Sequence, residues 1–126
     1  MCAYGASRIF DVDNDCLFCR IVAGTIPATV VHETPTTLAF RDIDPKAPVH
    51  VLVIPKAHHR DVLALAGDPG SAADVLAACA AVAEAEGLAG DGFRVIFNTG
   101  GHGGQEVFHV HAHVVGGKPL GPMVSR

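Results

Sequence analysis

Three histidines at alternate positions are the residues of this chain whose spacing best suits chemistry. His109, His111 and His113 are separated by single apolar residues. A β-strand repeats every two residues, so the pattern predicts that all three imidazoles project from one face while the residues between them face the core. Histidines whose Cα atoms are about 6.6 Å apart along a strand could share a metal ion, or one could act as a nucleophile beside hydrogen-bonding neighbours. Spacing alone leaves metal-dependent hydrolysis and nucleophilic catalysis as equal alternatives.

A glycine-rich segment, residues 98–105, directly precedes these histidines. Glycine accepts positive φ and lets a backbone approach a phosphate closely. The backbone amides of Gly104, Gln105 and Glu106 are therefore candidate phosphate donors. A plain turn is the alternative interpretation of such a segment.

Cys16 and Cys19 form a Cys-x-x-Cys pair near the N-terminus. In a reducing compartment such a pair is expected to bind metal or do redox work rather than form a structural disulfide. A thioredoxin-like site would need a preceding strand, and none is predicted. Cys79 is expected to be a small core residue on a helix.

The elements that must position these residues are several strands and few helices, without a repeating strand–helix alternation. This pattern predicts an α+β fold with a five-stranded antiparallel sheet, one main helix and a short N-terminal helix. The predicted strands cover residues 30–33, 37–41, 49–54, 93–97 and 107–115. The short helix is predicted over residues 16–22, stopped by Gly24, and the main helix runs from a Ser71 cap to about Glu86. The apolar face of the main helix is expected to comprise Val75, Leu76, Cys79, Val82 and Ala83.

Size and charge limit the possible functions. The chain has 126 residues and a net charge of -4, which suits one domain over residues 16–126 behind a flexible tail, residues 1–15. No Lys/Arg cluster is present, so nucleic acid is not expected as a partner. With neither a secretory signal nor an apolar stretch long enough to span a bilayer, we expect a cytoplasmic protein without membrane association.

Residues 109–115 read His-Val-His-Ala-His-Val-Val and resemble the signature of the histidine-triad (HIT) family. The likeness extends to residues 39–43, residues 47–56, Asn98 and residues 103–105. Residues 116–123 are similar to the tail of the histidine-triad nucleotide-binding (Hint) branch. The resemblance implies a homodimer that hydrolyses purine nucleoside phosphoramidates, such as AMP joined to an amine, without an organic cofactor.

The resemblance also implies roles for individual residues. His111 would attack the α-phosphorus and carry a nucleotidyl intermediate, with its tautomer fixed by a backbone carbonyl within the strand that carries the three histidines. His113 would donate to a phosphate oxygen, and His50 would support the triad or be a buried hydrogen-bonded histidine.

The resemblance also implies which residues bind the nucleotide. Asp42 would bind the ribose, although it could instead cap a turn. Ile43 would contact the nucleoside, and Asn98 would contact the phosphate or the ribose. Glu106 stands where Hint relatives often carry serine, so it points away from the phosphate or protonates the leaving amine.

Some bacterial histidine-triad proteins resemble this chain at a second site. Carried over, the resemblance implies a structural zinc held by Cys16, Cys19, His58 and His109, with His59 as a substitute for His58. Such a metal would pin the N-terminal helix to the sheet and would not activate water.

The sequence leaves three other functions open. One is hydrolysis or phosphorolysis of dinucleoside polyphosphates, although the Gly116-Gly117 exit from the triad favours the Hint branch. Another is metal-dependent hydrolysis. The third is a nucleotide-binding or interaction module with weak catalysis.

Overall fold

Five antiparallel strands in the order β1-β2-β3-β5-β4 form the centre of the computed structural model, which describes residues 15–124. The strands are β1 (Val30–Glu33), β2 (Thr37–Arg41), β3 (Val49–Pro55), β4 (Phe93–Ile96) and β5 (Ala112–Gly116), and the helices are α1 (Leu17–Ala23), α2 (Val62–Ala66) and α3 (Pro69–Ala85). The predicted α+β fold and antiparallel sheet are confirmed. The predicted flexible tail lies outside the described residues except for Asp15.

The sheet separates two apolar clusters, because successive residues of a strand point to opposite faces. On one face, α3 packs through Val75, Cys79 and Val82 against alternate residues of β3 and β5, including Val53 and Val114. The cluster on the other face contains Phe18 of α1, with Leu38, Phe40, Leu52 and Ile54 of β2 and β3. The short helix α1 therefore covers the face opposite to α3.

The main helix begins earlier than predicted. Its N-cap is Asp68 rather than Ser71, because the Asp68 carboxylate accepts a hydrogen bond from the Ser71 amide and Pro69 suits the first helical turn. The predicted position of Leu76 in the core is wrong, since that side chain is 57% exposed and Ala78 is buried in the helix face instead. Helix α2, whose N-cap is Asp61, was not predicted from the sequence.

The short helix is held at both ends by local hydrogen bonds. The Sγ of Cys16, the N-cap, accepts from the Cys19 amide at 3.3 Å. At the other end, Gly24 has φ of 81° and its amide donates to Arg20 and Ile21 carbonyls, a conformation that glycine adopts without a steric cost. These caps confirm the predicted helix and its stop at Gly24, with bounds shifted by one residue.

The last strand is shorter than predicted. The sequence pattern predicts a strand over residues 107–115, but β5 begins at Ala112, which pairs with Val53 of β3. Continuing the same register would place Val110 opposite Pro55, which has no amide hydrogen to donate to the ladder. The Val110 amide donates instead to the His59 carbonyl at 2.7 Å. Within residues 15–124, no helix has the length and apolar character needed to cross a bilayer.

Candidate active site

We call residues 105–111, which carry His109 and His111, the triad segment; His113 lies beyond it in β5. This segment is held by contacts with the loop that follows β3 rather than by pairing with a strand. The Gln105 side chain donates to the carbonyls of Arg60 and Val107, at 2.8 and 3.1 Å. The Arg60 guanidinium lies over the Phe108 ring, 4.3 Å from its centre. The hydrogen bonds to the Val107 carbonyl and from the Val110 amide satisfy backbone groups that a longer ladder would have paired.

The histidine side chains nevertheless alternate with core residues as predicted. Val110, Ala112 and Val114 belong to the cluster under α3. On the other side of the sheet, the Phe18 ring packs edge-on against His109 and His111, with centroid separations of 6.0 and 5.1 Å. Helix α1 therefore forms one wall of the triad.

One ring nitrogen of His111 is hydrogen-bonded to the backbone, and the other is available. Its Nδ1 donates to the backbone carbonyl of His109 at 2.9 Å, so a neutral imidazole keeps its lone pair on Nε2. Burial lowers the pKa of His111, which favours this neutral form. Among residues 15–124, none forms a hydrogen bond with Nε2, and the lone pair is thus available for nucleophilic attack.

His113 is oriented through His50. The Lys46 amide donates to Nδ1 of His50 at 3.0 Å, so a neutral His50 carries its hydrogen on Nε2. That atom lies 2.9 Å from Nδ1 of His113 and 3.4 Å from a carboxylate oxygen of Asp42. With its Nδ1 accepting, His113 carries its hydrogen on Nε2, a buried atom without a hydrogen-bond partner in the described part of the chain. An unpaired buried donor is costly unless a ligand satisfies it.

The protonation of His113 gives a pH-dependent prediction. Burial, followed by the charges of His111 and His50, lowers its pKa from 6.5 to about 4. Between these pH values the unfolded chain binds a proton that the folded chain resists, so the free energy of unfolding should fall as the pH drops from 6.5 to about 4. We expect His113→Gln to reduce this dependence in urea titrations over the same range. An identical pH dependence in the variant and the parent would contradict the assignment.

A second cluster shares His109 with the triad. The Nδ1 of His109 lies 3.4 Å from the sulfurs of both Cys16 and Cys19, and Nδ1 of His58 lies 3.4 Å from Cys19 Sγ. The four possible ligand atoms all lie within 4.8 Å of one another. The hydrogen bond to Cys19 does most to lower the pKa of Cys16 to about 2, with smaller contributions from His109 and His58 against the effect of burial.

These four residues fit a metal ion. The Nε2–H of His109 donates a hydrogen bond to the Pro55 carbonyl at 2.8 Å. In a neutral imidazole this leaves Nδ1 with a lone pair that faces the sulfurs. A metal-binding histidine is commonly fixed in this way through its second nitrogen. Two cysteines and two histidines are a typical closed set for structural zinc. The alternative ligand, His59, is directed elsewhere, toward Asp68 at 3.1 Å.

Two of the three amides that were predicted to bind phosphate are already hydrogen-bonded within the glycine-rich loop. The Gly104 amide donates to Gly101 and the Gln105 amide to Gly100, at 3.1 and 3.0 Å. The Gln105 side-chain oxygen also accepts from the Gly100 amide at 3.0 Å. Of the three amides expected to bind phosphate, that of Glu106 therefore remains as the available donor, and the loop acts first as a scaffold for the triad segment.

The close packing at Gly103 leads to a prediction about the stability of this loop. A Cβ at position 103 would lie 2.3 Å from the Thr99 carbonyl oxygen, whereas one at Gly101 would have no atom within 4 Å. Gly103→Ala should therefore destabilise the protein by about 1–3 kcal/mol, as overpacking does elsewhere, and should raise KM for nucleotide. Gly101→Ala is the matched control and should be close to the parent. Equal melting temperatures for the two variants would contradict the close approach of Thr99 to Gly103.

The predicted nucleotide-binding residues outside the triad differ in exposure and in their contacts. Asp42 uses one oxygen to accept the Asp44 amide at 2.8 Å, the turn-cap role, while its other oxygen faces His50. Ile43 is fully exposed, Asn98 is half-buried after β4, and Glu106 is exposed. The charge of Glu106 acts on both His111 and Lys46.

Three contributors to this site were not predicted from the sequence. The first is Phe18, whose ring packs against the triad. The second is the Lys46 amide, which fixes the tautomer of His50, and the third is the Arg60–Phe108 contact. The apolar spacing of α1 could have indicated Phe18. A backbone amide and a loop contact leave no residue pattern from which they could be inferred.

Comparison with known proteins finds a matching family model and several similar chains. A family model described as the HIT domain matches residues 23–120. The chain is 42% identical over 113 residues to the purine nucleoside phosphoramidase of Escherichia coli (strain K12), covering 89% of this chain and 95% of that protein. It is also 42% identical over 113 residues to the adenylylsulfatase HINT1 of Arabidopsis thaliana, covering 86% and 75%. A HIT family hydrolase from Legionella pneumophila Philadelphia 1 superposes with a TM-score of 0.81 at 47% identity, covering 84% of this chain and 96% of that one.

Proposed function

The chain belongs to the HIT family, and from this premise we propose that it hydrolyses purine nucleoside phosphoramidates through a nucleotidyl intermediate on His111. One observation carries the proposal. An imidazole with a lone pair on Nε2 stands beside a second imidazole, 5.0 Å away between ring centres, whose buried Nε2–H lacks a partner among residues 15–124. A nucleophile next to a donor for a phosphate oxygen is the arrangement that phosphoryl transfer needs.

The reaction follows from these two nitrogens. Nε2 of His111 attacks the α-phosphorus, the P–N bond breaks, and the amine takes up a proton as it leaves. His113 donates its Nε2–H to a non-bridging oxygen, and the Glu106 amide is the candidate second donor. Water then displaces the imidazole and releases the nucleoside monophosphate. Asp42 binds the ribose, Asn98 contacts the phosphate or ribose, and Ile43 covers the base.

Substrate comparison tests the proposal. The protein is incubated separately with adenosine 5′-phosphoramidate, a diadenosine polyphosphate and adenylyl sulfate, and AMP release is followed by chromatography. We expect the highest kcat/KM with the phosphoramidate. Turnover of the diadenosine compound alone would favour the dinucleoside polyphosphate alternative. AMP binding without turnover of any of the three would indicate a binding module instead.

Glu106 gives a further prediction. Its side chain is exposed, so we expect its charge to act weakly on the reaction, as exposed ion pairs do. Glu106→Gln and Glu106→Ser should each change kcat/KM for the phosphoramidate by less than about fivefold. A large loss of kcat in the glutamine variant alone would assign Glu106 as the proton donor to the leaving amine.

We propose that Cys16, Cys19, His58 and His109 hold a structural zinc. Their chemistry supports this assignment, since two thiolates and two neutral imidazoles satisfy a tetrahedral ion without leaving a position for water. When bound, the ion would cross-link α1 to the loop after β3 and to the triad. Chelator treatment should therefore affect stability rather than supply or remove a water nucleophile.

We also propose a homodimer that joins two sheets, as the family resemblance implies. β4 is at one edge of the sheet, and an open edge can pair with a second copy. Light scattering coupled to size-exclusion chromatography would report the mass directly, and a monomer over the whole concentration range would contradict the proposal.

A further inference from the structure

His109 connects the cysteine cluster to the nucleophile through two different parts of one residue. Its imidazole Nδ1 contacts both sulfurs at 3.4 Å, while its backbone carbonyl accepts the hydrogen bond from Nδ1 of His111 at 2.9 Å. His109 is fully buried, so its side chain has little room to move without moving its backbone. A change at the cluster therefore reaches the acceptor that fixes the tautomer of His111.

The two sulfurs of the cluster are placed to react with each other. Both lie within 4.8 Å of each other and of the two imidazole nitrogens, and the Cys19 amide donates to Cys16 Sγ at 3.3 Å. Neither cysteine is in a disulfide, and both are partly accessible, whereas Cys79 is buried. Accessibility together with neighbouring cations or donors is typical of thiols that oxidise selectively.

We propose that Cys16 and Cys19 form a site of reversible oxidation whose disulfide form weakens the nucleophile His111. The inference rests on the proposed function of His111 and adds a means of regulating it. The oxidant is hydrogen peroxide: the two thiolates lose two electrons and form one S–S bond, while the O–O bond breaks and its oxygens take up those electrons and two protons from solvent to give two molecules of water. Disulfide sulfurs no longer act as thiolate ligands, so bound metal is released.

In the disulfide form the two sulfurs no longer act as thiolate partners of the His109 Nδ1, and the Pro55 carbonyl remains the hydrogen-bond partner of this imidazole in the described part of the chain. The carbonyl that orients His111 then loses part of its support. Disturbing the hydrogen-bonding partners that orient metal ligands commonly costs about 10- to 100-fold in metal affinity or activity, and the His109 carbonyl orients His111 in a comparable way. We expect a decrease of this size in kcat, with a smaller change in KM.

The experiment uses the full chain with Cys2→Ser and Cys79→Ala, which leaves Cys16 and Cys19 as its thiols. The zinc-loaded protein is titrated with hydrogen peroxide and quenched with catalase. Peptide mass mapping should find a Cys16–Cys19 disulfide, a chromogenic chelator should detect released zinc, and kcat should fall in parallel. Dithiothreitol with added zinc should restore both. A mapped disulfide with unchanged kcat, or peroxide treatment that leaves the thiols and zinc intact, would overturn the proposal.

Nitrogen-15 spectra of the histidine rings separate this inference from the proposed function. His111→Asn identifies the His111 signals, and those signals should shift on oxidation in the parent protein. If the reduced protein hydrolyses no phosphoramidate, the proposed function fails while the shift still reports the coupling. If turnover is present but the His111 signals and kcat stay unchanged on oxidation, the coupling fails alone. The Cys16→Ser/Cys19→Ser variant should lose no further activity with peroxide, and an equal loss there would place the damage elsewhere.

Discussion

Replacing His111 by alanine is expected to lower kcat for adenosine phosphoramidate hydrolysis by roughly 10⁴-fold or more, because removing a nucleophile removes the covalent route. Residual turnover would come from binding and from the donors around the phosphate. The hydrogen bond from Nδ1 to the His109 carbonyl orients this nucleophile. Because His111 precedes β5, which begins at Ala112, we expect the variant to keep the sheet. Steady-state kinetics and thermal unfolding, measured on the same preparation, check the two parts of the prediction.

His32→Ala is the matched control for this loss. His32 lies in β1, where it lines a groove beside α3 rather than the triad. Its replacement should leave kcat within the error of the parent. A His111→Ala protein that retains most of its kcat would contradict the mechanism, provided that its unfolding transition matches that of the parent.

Removing the zinc that we propose for the Cys16–Cys19–His58–His109 cluster should produce the largest change in stability. If free zinc is present at about a thousand times its Kd, binding stabilises the folded state by about 4 kcal/mol. For a domain of this size that corresponds to a decrease in Tm of roughly 10–20 °C on chelation. The loss should be concentrated in α1, since Cys16 and Cys19 connect this helix to His109. Calorimetry with and without chelator measures the change, and elemental analysis gives the zinc content.

A pair of adjacent histidines provides the control for the metal site. His58→Ala should lower the zinc content, because its Nδ1 faces Cys19 Sγ at 3.4 Å. His59→Ala should retain zinc, because that imidazole contacts Asp68 and the Ala57 carbonyl instead. Equal zinc content in the two variants and the parent, or a Tm insensitive to chelator, would contradict the assigned ligand set.

Periodicity predicted the parts of this fold that depend on local pattern. The strands β1 and β2 have the predicted bounds, and the alternation of His109, His111 and His113 with core residues is confirmed by the cluster under α3. Both features follow from the two-residue repeat of extended chain. That repeat does not require a hydrogen-bonded ladder, which explains how the faces were correct although β5 begins only at Ala112.

The features that were wrong or missed depend on contacts between distant segments. Pro55 ends the ladder opposite Val110, and this is visible only once the register of β3 with β5 is known. Leu76 satisfied the apolar pattern of α3, yet the sheet contacts the neighbouring stripe. Similarly, the tautomer of His113 is set by a chain of bonds from Lys46 through His50, and residue types alone do not encode that order.

The most direct measurement of the central claim is a rapid-quench experiment with the enzyme in excess over adenosine phosphoramidate, followed by peptide mass mapping at each time point. We expect adenylate to appear on the peptide containing His111, on that imidazole, before AMP is released, and then to decay. Adenylate on a different residue, or complete conversion to AMP with no protein-bound adenylate at any time, would contradict nucleophilic catalysis by His111.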